Sequence, residues 1–284
     1  MKTNETSRYE TLKSDRRPEN MAGSRWDPGQ YEKFSDHRRR PALELLARAP
    51  VSSPALVCDL GCGTGDMART MRERWPGAEV TGIDRSAEML DRAAAGGGDI
   101  RWVRASVEDW QPDATPDLIY SNAALHWVAD HSRHFPRLLS FLRPGGCLAV
   151  QMPLSWGKPS HRLMRETLAG GGAGGRPLGT HALRDAVARK WVADPADYYD
   201  LLSAGSARLD IWKTEYLQVL DGDDPVFEWV RGTGLRPVLN GLEGDELTQF
   251  VREYKCRLRQ AYPRRSDGKT LYPFPRLFMV AVAG

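Results

Sequence analysis

The chain has 284 residues, 41% of them hydrophobic, with a formal charge of +3 and a pI near 8.7. That length suffices for one large core and does not require two domains. Charges are mixed along the chain with no Lys-rich run or RNA-binding aromatic signature, and no apolar run approaches the roughly 18 residues of a membrane span, so neither nucleic acid nor membrane is demanded as a partner.

Residues 1–20 are polar, charged and aperiodic, the composition of a disordered tail, and no signal-peptide apolar segment follows the N-terminus. Globular character begins at Met21. A helix is expected over 36–49, carrying Leu43, Leu45 and Leu46 and entered from Tyr31-x-x-Phe34. The first strand, 56–60, runs straight into Gly61-x-Gly63-x-Gly65, with Asp59 just ahead of the glycines. Glycines at this spacing allow a sharp turn and a ligand approach that a Cβ would block. A helix follows over 66–75, its Asp66 suited to the positive end of the helix dipole. The second strand, 79–83, ends on Asp84, about 20 residues past the loop, where a nucleotide-binding βαβ unit places the acid that grips ribose hydroxyls. The spacing is neither the dinucleotide G-x-G-x-x-G nor a P-loop.

Ser86 caps a helix through Ala95 that stops at Gly96-Gly97-Gly98. Strands follow at 100–104 and 118–121. A helix over 135–142 ends at Arg143-Pro144-Gly145-Gly146, and 147–152 is the apolar run of a strand buried on both faces. Such alternation argues for a parallel sheet covered on both faces. Beyond it, 161–202 reads as largely helical, interrupted by a flexible glycine-rich loop at 170–175. A strand at 211–220, helices at 225–230 and 245–261, and a final strand at 276–282 complete the chain. Cys58, Cys62, Cys147 and Cys256 show no CxxC pair and no metal-ligand spacing, which argues for a reduced, cytoplasmic chain without a metal. Cys58 and Cys62 read as packing residues.

Strand, glycine loop, Asp59 and Asp84 together resemble motif I of the class I S-adenosylmethionine-dependent methyltransferases. Residues 121–127, Ser-Asn-Ala-Ala-Leu-His-Trp, and Leu142-Arg143-Pro144-Gly145-Gly146 resemble further motifs of that class. The likeness sharpens to the trans-aconitate methyltransferase family through Tyr31-x-x-Phe34, Asn122-Ala123-x-Leu125-x-Trp127-x-x-Asp130-His131, Gln151-Met152-Pro153, Pro159-Ser160-His161 and Met164-Arg165-Glu166. It continues through Tyr198-Tyr199-Asp200-Leu201-Leu202, Trp212-x-Thr214-x-Tyr216, the block from Trp229 to Pro237, and Phe274-Pro275-Arg276-Leu277-Phe278. Two positions depart from the family pattern. His126 stands where the family usually has Gln, and Ser106 stands where it has the acid that binds the adenine amino group. A neutral hydrogen bond there has about half the strength of a charge-assisted one.

The resemblance implies an α/β fold, a Rossmann-like class I methyltransferase sheet with an antiparallel last strand and a mainly helical cap. It spans 21–284 as a single methyltransferase domain, with cap segments at 21–50, about 155–205 and 225–262, and Met21 as the natural start. It implies S-adenosyl-L-methionine as cofactor, held by Asp59, Gly61, Gly63, Gly65, Asp84, Arg85, Met89, Ser106, Val107, Asn122 and Leu125. It also implies a small polycarboxylate substrate, trans-aconitate foremost, held by His126, Trp127, Tyr199, Arg231, Thr233, Arg236 and Arg276. Tyr31, Trp127 and His161 would position it, with Tyr31 on a closing lid. A monomer or weak homodimer is expected.

A carboxylate, with a pKa near ~4, is already an anion at neutral pH, so methylating it needs no general base. Positioning alone can supply about 7–11 kcal/mol. Each arginine in isolation reads as a solvated surface charge. Arg276 stands apart, because it joins Phe274-Pro275 to an apolar strand. His126 reads as either a packed ring or a pocket donor, and Trp212, Tyr216 and Trp229 read as aromatic core. Two other functions stay open at this point: methylation of a larger biosynthetic acid or hydroxyl, and cofactor binding without turnover.

Overall fold

The computed structural model describes residues 35–284. The 1–20 tail, the start at Met21, and Tyr31 and Phe34 lie outside the described residues. The first described helix, α1 (Ser35–Arg48), leads to β1 (Leu56–Leu60), and α2 (Asp66–Arg74) follows the glycine loop. Next come β2 (Glu79–Asp84), α3 (Ala87–Ala95), β3 (Arg101–Arg104) and β4 (Leu118–Asn122). Ser86 caps α3 as expected, its hydroxyl accepting from Met89 N at 3.3 Å. A 3₁₀ turn at Leu125–Trp127 precedes α4 (His131–Ser140), which starts earlier than 135, and then β5 (Cys147–Pro153).

The expected helical stretch at 161–202 resolves into α5 (Pro159–Gly170), α6 (His181–Ala188) and α7 (Pro195–Leu202). Between α5 and α6 the glycine-rich segment turns back, so that Leu178 N donates to Leu168 O at 2.8 Å. The chain then forms β6 (Ser206–Leu220), α8 (Pro225–Arg231), α9 (Arg236–Gly241), α10 (Gly244–Ala261) and β7 (Thr270–Ala283). Helix α9 is absent from the sequence reading, although Pro237 in its first turn fits a helix start.

The strands form one seven-stranded sheet in the order β3-β2-β1-β4-β5-β7-β6. β7 lies antiparallel between β5 and β6, and the other neighbouring pairs run parallel. Both β6 and β7 begin earlier than the sequence indicates. Pro273 and Pro275 read as strand breakers, yet Tyr272, Phe274 and Arg276 alternate inward through them. β5 meets β7 over 276–282, whereas β6 accompanies it from Thr270 onward. The prolines therefore sit in the overhang beyond β5, where a missing N–H disturbs one ladder at most.

Successive residues of the inner strands bury on opposite faces. Leu118 and Tyr120 join Val57, Leu45, Leu46 and Met71 on the α1–α2 face. Ile119 joins Leu60, Val150, Phe135 and Tyr198 on the α4–α7 face. A third apolar cluster gathers α5, α8 and α10 around Tyr272, Phe274 and Leu220, at the overhanging end of the β6–β7 ribbon. The described part of the 21–50 segment does not join that cluster. Leu45 and Leu46 of α1 cover the sheet itself. Trp229 and Tyr216 are buried, and Trp212 stacks on Phe278 at 4.9 Å, so all three serve the core as expected.

Candidate active site

The sheet order changes direction between β1 and β4, and open α/β sheets bind ligands in the crevice outside such a switch point. A cleft of about 2390 Å³ opens there, walled by the glycine loop, the carboxyl ends of β4 and β5, and the α5, α6 and α9 segments.

The loop is tied to β2 from below. Gly61 N and Cys62 N both donate to Ile83 O, at 2.7 and 3.0 Å. Gly63 N donates to Asp84 Oδ2 at 3.0 Å and Ser86 N to Asp84 Oδ1 at 2.9 Å. The Asp84 carboxylate is thereby fixed in orientation, and each oxygen keeps acceptor capacity. Gly61 has φ +80°, and a side chain there would collide with the Ala124 methyl, so the loops after β1 and β4 meet because position 61 has no Cβ. Ala123, at φ 53°, holds a left-handed conformation that costs a non-glycine residue about 1–2 kcal/mol. Strain of this kind concentrates at functional sites.

Asp59 is 2% exposed, lines the cleft, and its Oδ2 has no hydrogen-bond partner. Burial pushes its pKa up to about 7, and the nearby Asp84 charge adds to the rise, against a lowering contribution from the Ala68 amide. Asn122 Oδ1, also on the wall, is buried without a partner. Two orphaned acceptors beside a held carboxylate fit a ligand rich in donors and carrying a cationic group. Burial also pushes the Cys58 thiol up to about 12, with Asp59 adding to it, which suits a packing role.

Across the cleft stands Arg276, 3% exposed, opposite Pro153 in the β5–β7 register. Its Nη1 donates to Gln151 Oε1 at 2.8 Å, and its guanidinium lies 4.9 Å from the Phe274 ring centroid. His126 and Trp127, with rings 4.8 Å apart, reach the same cleft, as do His161, Thr233 and Arg236. His126 is thus both packed and on the wall. Arg85, Met89 and Val107 complete the expected residues that the fold brings together there.

Other expected residues are placed elsewhere. Gly65, at φ +80°, packs against Trp102 and Ala93 and shapes the loop from behind. The Ser106 hydroxyl donates to Asp109 Oδ2 at 2.7 Å and accepts from Asp109 N, which closes a local turn. Leu125 is buried in the sheet core. Tyr199 is 57% exposed on α7, while its neighbour Tyr198 turns inward to meet His131 Nδ1 at 2.7 Å. Arg231 is exposed and lies 3.5 Å from Glu228. Tyr31 lies outside the described residues. Ser155 and Gly234 line the cleft although the sequence reading gave neither a role. Ser155 was findable, because it lies two residues past the strand that ends on Pro153.

Residues 57–146 match the methyltransferase domain family. The chain is 48% identical over 257 residues to the trans-aconitate 2-methyltransferase of Azoarcus sp. (strain BH72), covering 90% of this chain and 98% of that protein. The trans-aconitate 2-methyltransferase of Pseudomonas aeruginosa (strain UCBPP-PA14) is 44% identical over 262 residues, covering 92% and 95%. Among solved structures, the YcgJ protein of Bacillus subtilis aligns with a TM-score of 0.53 at 14% identity, over 85% of this chain and 96% of that one. Phosphoethanolamine N-methyltransferase 2 of Haemonchus contortus, solved with S-adenosylhomocysteine, gives 0.51 at 15% identity, over 86% and 52%. These structural likenesses establish the fold, a class I Rossmann-like α/β sheet.

Proposed function

The chain belongs to the trans-aconitate 2-methyltransferase family, and from that premise we propose that it uses S-adenosylmethionine to form a monomethyl ester on a small polycarboxylate, trans-aconitate foremost. The observation that carries the acidic substrate is Arg276, a buried guanidinium on the wall of the cleft that also holds Asp84. A cation is costly to bury, and a cleft-facing one is best repaid by an anionic ligand.

On the cofactor side, the fixed Asp84 oxygens would accept from the ribose hydroxyls. The unpartnered Asp59 and Asn122 oxygens would accept from the ammonium end, and Met89 and Val107 would offer apolar surface to the adenine. When bound, the cofactor would supply an electrophilic methyl on a sulfonium, for which a carboxylate, already an anion, needs no base from the protein. The protein's task is alignment and exclusion of water. Arg276 acts as a two-pronged clamp, which a lysine cannot imitate. Thr233, Arg236 and the His126–Trp127 pair close around the rest of the acid.

We further infer a cytoplasmic protein, acting as a monomer or weak homodimer without nucleic acid or membrane. Among the described residues no helix is long and apolar enough to cross a membrane. The test is incubation with labelled S-adenosylmethionine and a panel of trans-aconitate, citrate, a longer dicarboxylate and a hydroxyl compound, read by mass spectrometry. A monomethyl ester of trans-aconitate is expected. Product on the hydroxyl compound alone, or on none of the panel, refutes the reading.

A further inference from the structure

A line of polar side chains runs from the core of the α5–α8–α10 cluster to the cleft. The Tyr272 hydroxyl lies 3.1 Å from Ser160 Oγ, Ser160 Oγ lies 3.2 Å from His161 Nδ1, and His161 Nε2 lies 3.2 Å from Ser155 Oγ. Tyr272 and Ser160 are fully buried, and Ser155, at 8% exposure, is on the cleft wall. The backbone of Ser160 is already satisfied, its N–H by Tyr262 and its carbonyl by the Tyr254 hydroxyl.

One order of protons along this line satisfies its buried end, and we take that order. With the Tyr272 O–H donating to Ser160 Oγ the buried phenol proton is satisfied, whereas without an acceptor it would cost about 1–3 kcal/mol. In that order Ser160 directs its own proton to His161 Nδ1. Burial and the Arg165 charge keep the His161 ring neutral, so with Nδ1 accepting the ring proton sits on Nε2. Nε2–H donates to Ser155 Oγ, and the Ser155 proton is left over. Reversing every bond would strand the phenol proton in the core. The backbone at Gly234 also serves this arrangement, for a Cβ there would lie 2.7 Å from His161 Nε2 and displace the ring.

We propose that Ser155 is a substrate-contacting hydrogen-bond donor, its hydroxyl proton turned to the cleft by the Tyr272–Ser160–His161 line, and that it binds a carboxylate other than the one methylated. This rests on the polycarboxylate reading above. The non-reacting group is specified because a donor on the attacking oxygen would lower its nucleophilicity. Position supports the same assignment. Leu154 N donates to Pro275 O at 2.9 Å, which places Ser155 beside the strand that carries Arg276. One wall thus offers a guanidinium fork and a hydroxyl donor to a substrate with more than one carboxylate.

The test compares wild type with Ser155→Ala, Ser155→Thr and Tyr272→Phe, measuring KM and kcat for trans-aconitate and the calorimetric Kd for S-adenosylmethionine. Loss of a hydrogen bond to a charged group predicts a rise in KM of about tenfold or more in Ser155→Ala, with cofactor Kd unchanged. Ser155→Thr, which keeps the hydroxyl, restores most of the affinity. Tyr272→Phe raises KM in the same direction without touching the cleft, because it removes the donor that orders the line. An unmoved KM in Ser155→Ala, or equal losses in the Ala and Thr variants, overturns the proposal while leaving the polycarboxylate reading intact. A wild type that methylates no carboxylate overturns both.

Discussion

Asp59→Asn removes one buried carboxylate while conserving shape, and its effects on stability and on binding should oppose each other. In the folded chain the Asp59 pKa is pushed up to about 7 from 3.8, by burial first and then by Asp84. Below the unfolded value both states hold the proton and nothing is lost. Between the two values the unfolded chain ionises while the folded one keeps its proton, so stability falls as pH rises. Above about 7 the full penalty stands. At 1.36 kcal/mol per unit, the three-unit displacement amounts to roughly 4 kcal/mol as an upper bound. Asparagine carries no such penalty. The melting temperature of Asp59→Asn should exceed that of wild type by an amount that is small near pH 5 and grows by about 5–10 °C toward pH 8. Cofactor affinity should fall by about tenfold, since a charge-assisted bond becomes a neutral one. The assay is differential scanning fluorimetry of both proteins across pH, with calorimetric titration of S-adenosylmethionine at pH 8. Parallel melting curves at all pH values would refute the argument that the buried carboxylate is held at the expense of stability.

Asp84→Ala should weaken S-adenosylmethionine binding by about 1.5–3 kcal/mol, the range for bonds to a charged partner, and unchanged calorimetric affinity would remove Asp84 from the site. Deleting residues 1–20 should leave activity intact, whereas deleting 1–34 should abolish it with the loss of Tyr31 and Phe34; equal activities would end the lid reading. Arg276→Lys should lower kcat/KM for trans-aconitate at least tenfold, by about 2–5 kcal/mol for a broken partly desolvated pair, with cofactor affinity unchanged. A lowered melting temperature with normal kcat/KM would instead make Arg276 a strut for Gln151.

The half of the cleft proposed for the cofactor has a geometry legible in the sequence, because its signals are local. Asp59, the three glycines and Asp84 lie on one βαβ unit, so spacing alone fixes their geometry. Even there, chain position did not give direction. Ser106 and Leu125 fall at the expected places, but Ser106 closes a turn with Asp109 and Leu125 faces the sheet core. The half proposed for the substrate is assembled from segments far apart in sequence: the 153–157 loop, the α8–α9 junction and β7. No periodicity in one segment reveals that Ser155 lies against His161 or that Gly234 leaves room for that ring. The start of β7 carries Pro273 and Pro275, which a strand paired on both sides would not tolerate but an overhang does. Tyr198 and Tyr199 show the same limit at single-residue scale, since adjacent aromatic residues on a short helix gave no clue to which one points inward.

Charge is sorted across the sheet. Asp59 is on β1 and Arg276 on β7, three strand positions apart through β4 and β5, a separation of roughly 14 Å at ordinary strand spacing. At that distance the two charges do not pair, and burial followed by the Asp84 charge raises the Asp59 pKa without an arginine neighbour to depress it. A fold stabilised for its own sake would have placed them in contact or replaced both with apolar residues. Kept apart in one cleft, they match the proposed function with an acidic end for the cationic cofactor and a basic end for the anionic substrate. On that reading, reversed placement of either ligand would set like charges together, so the separation would discriminate between the two binding orientations.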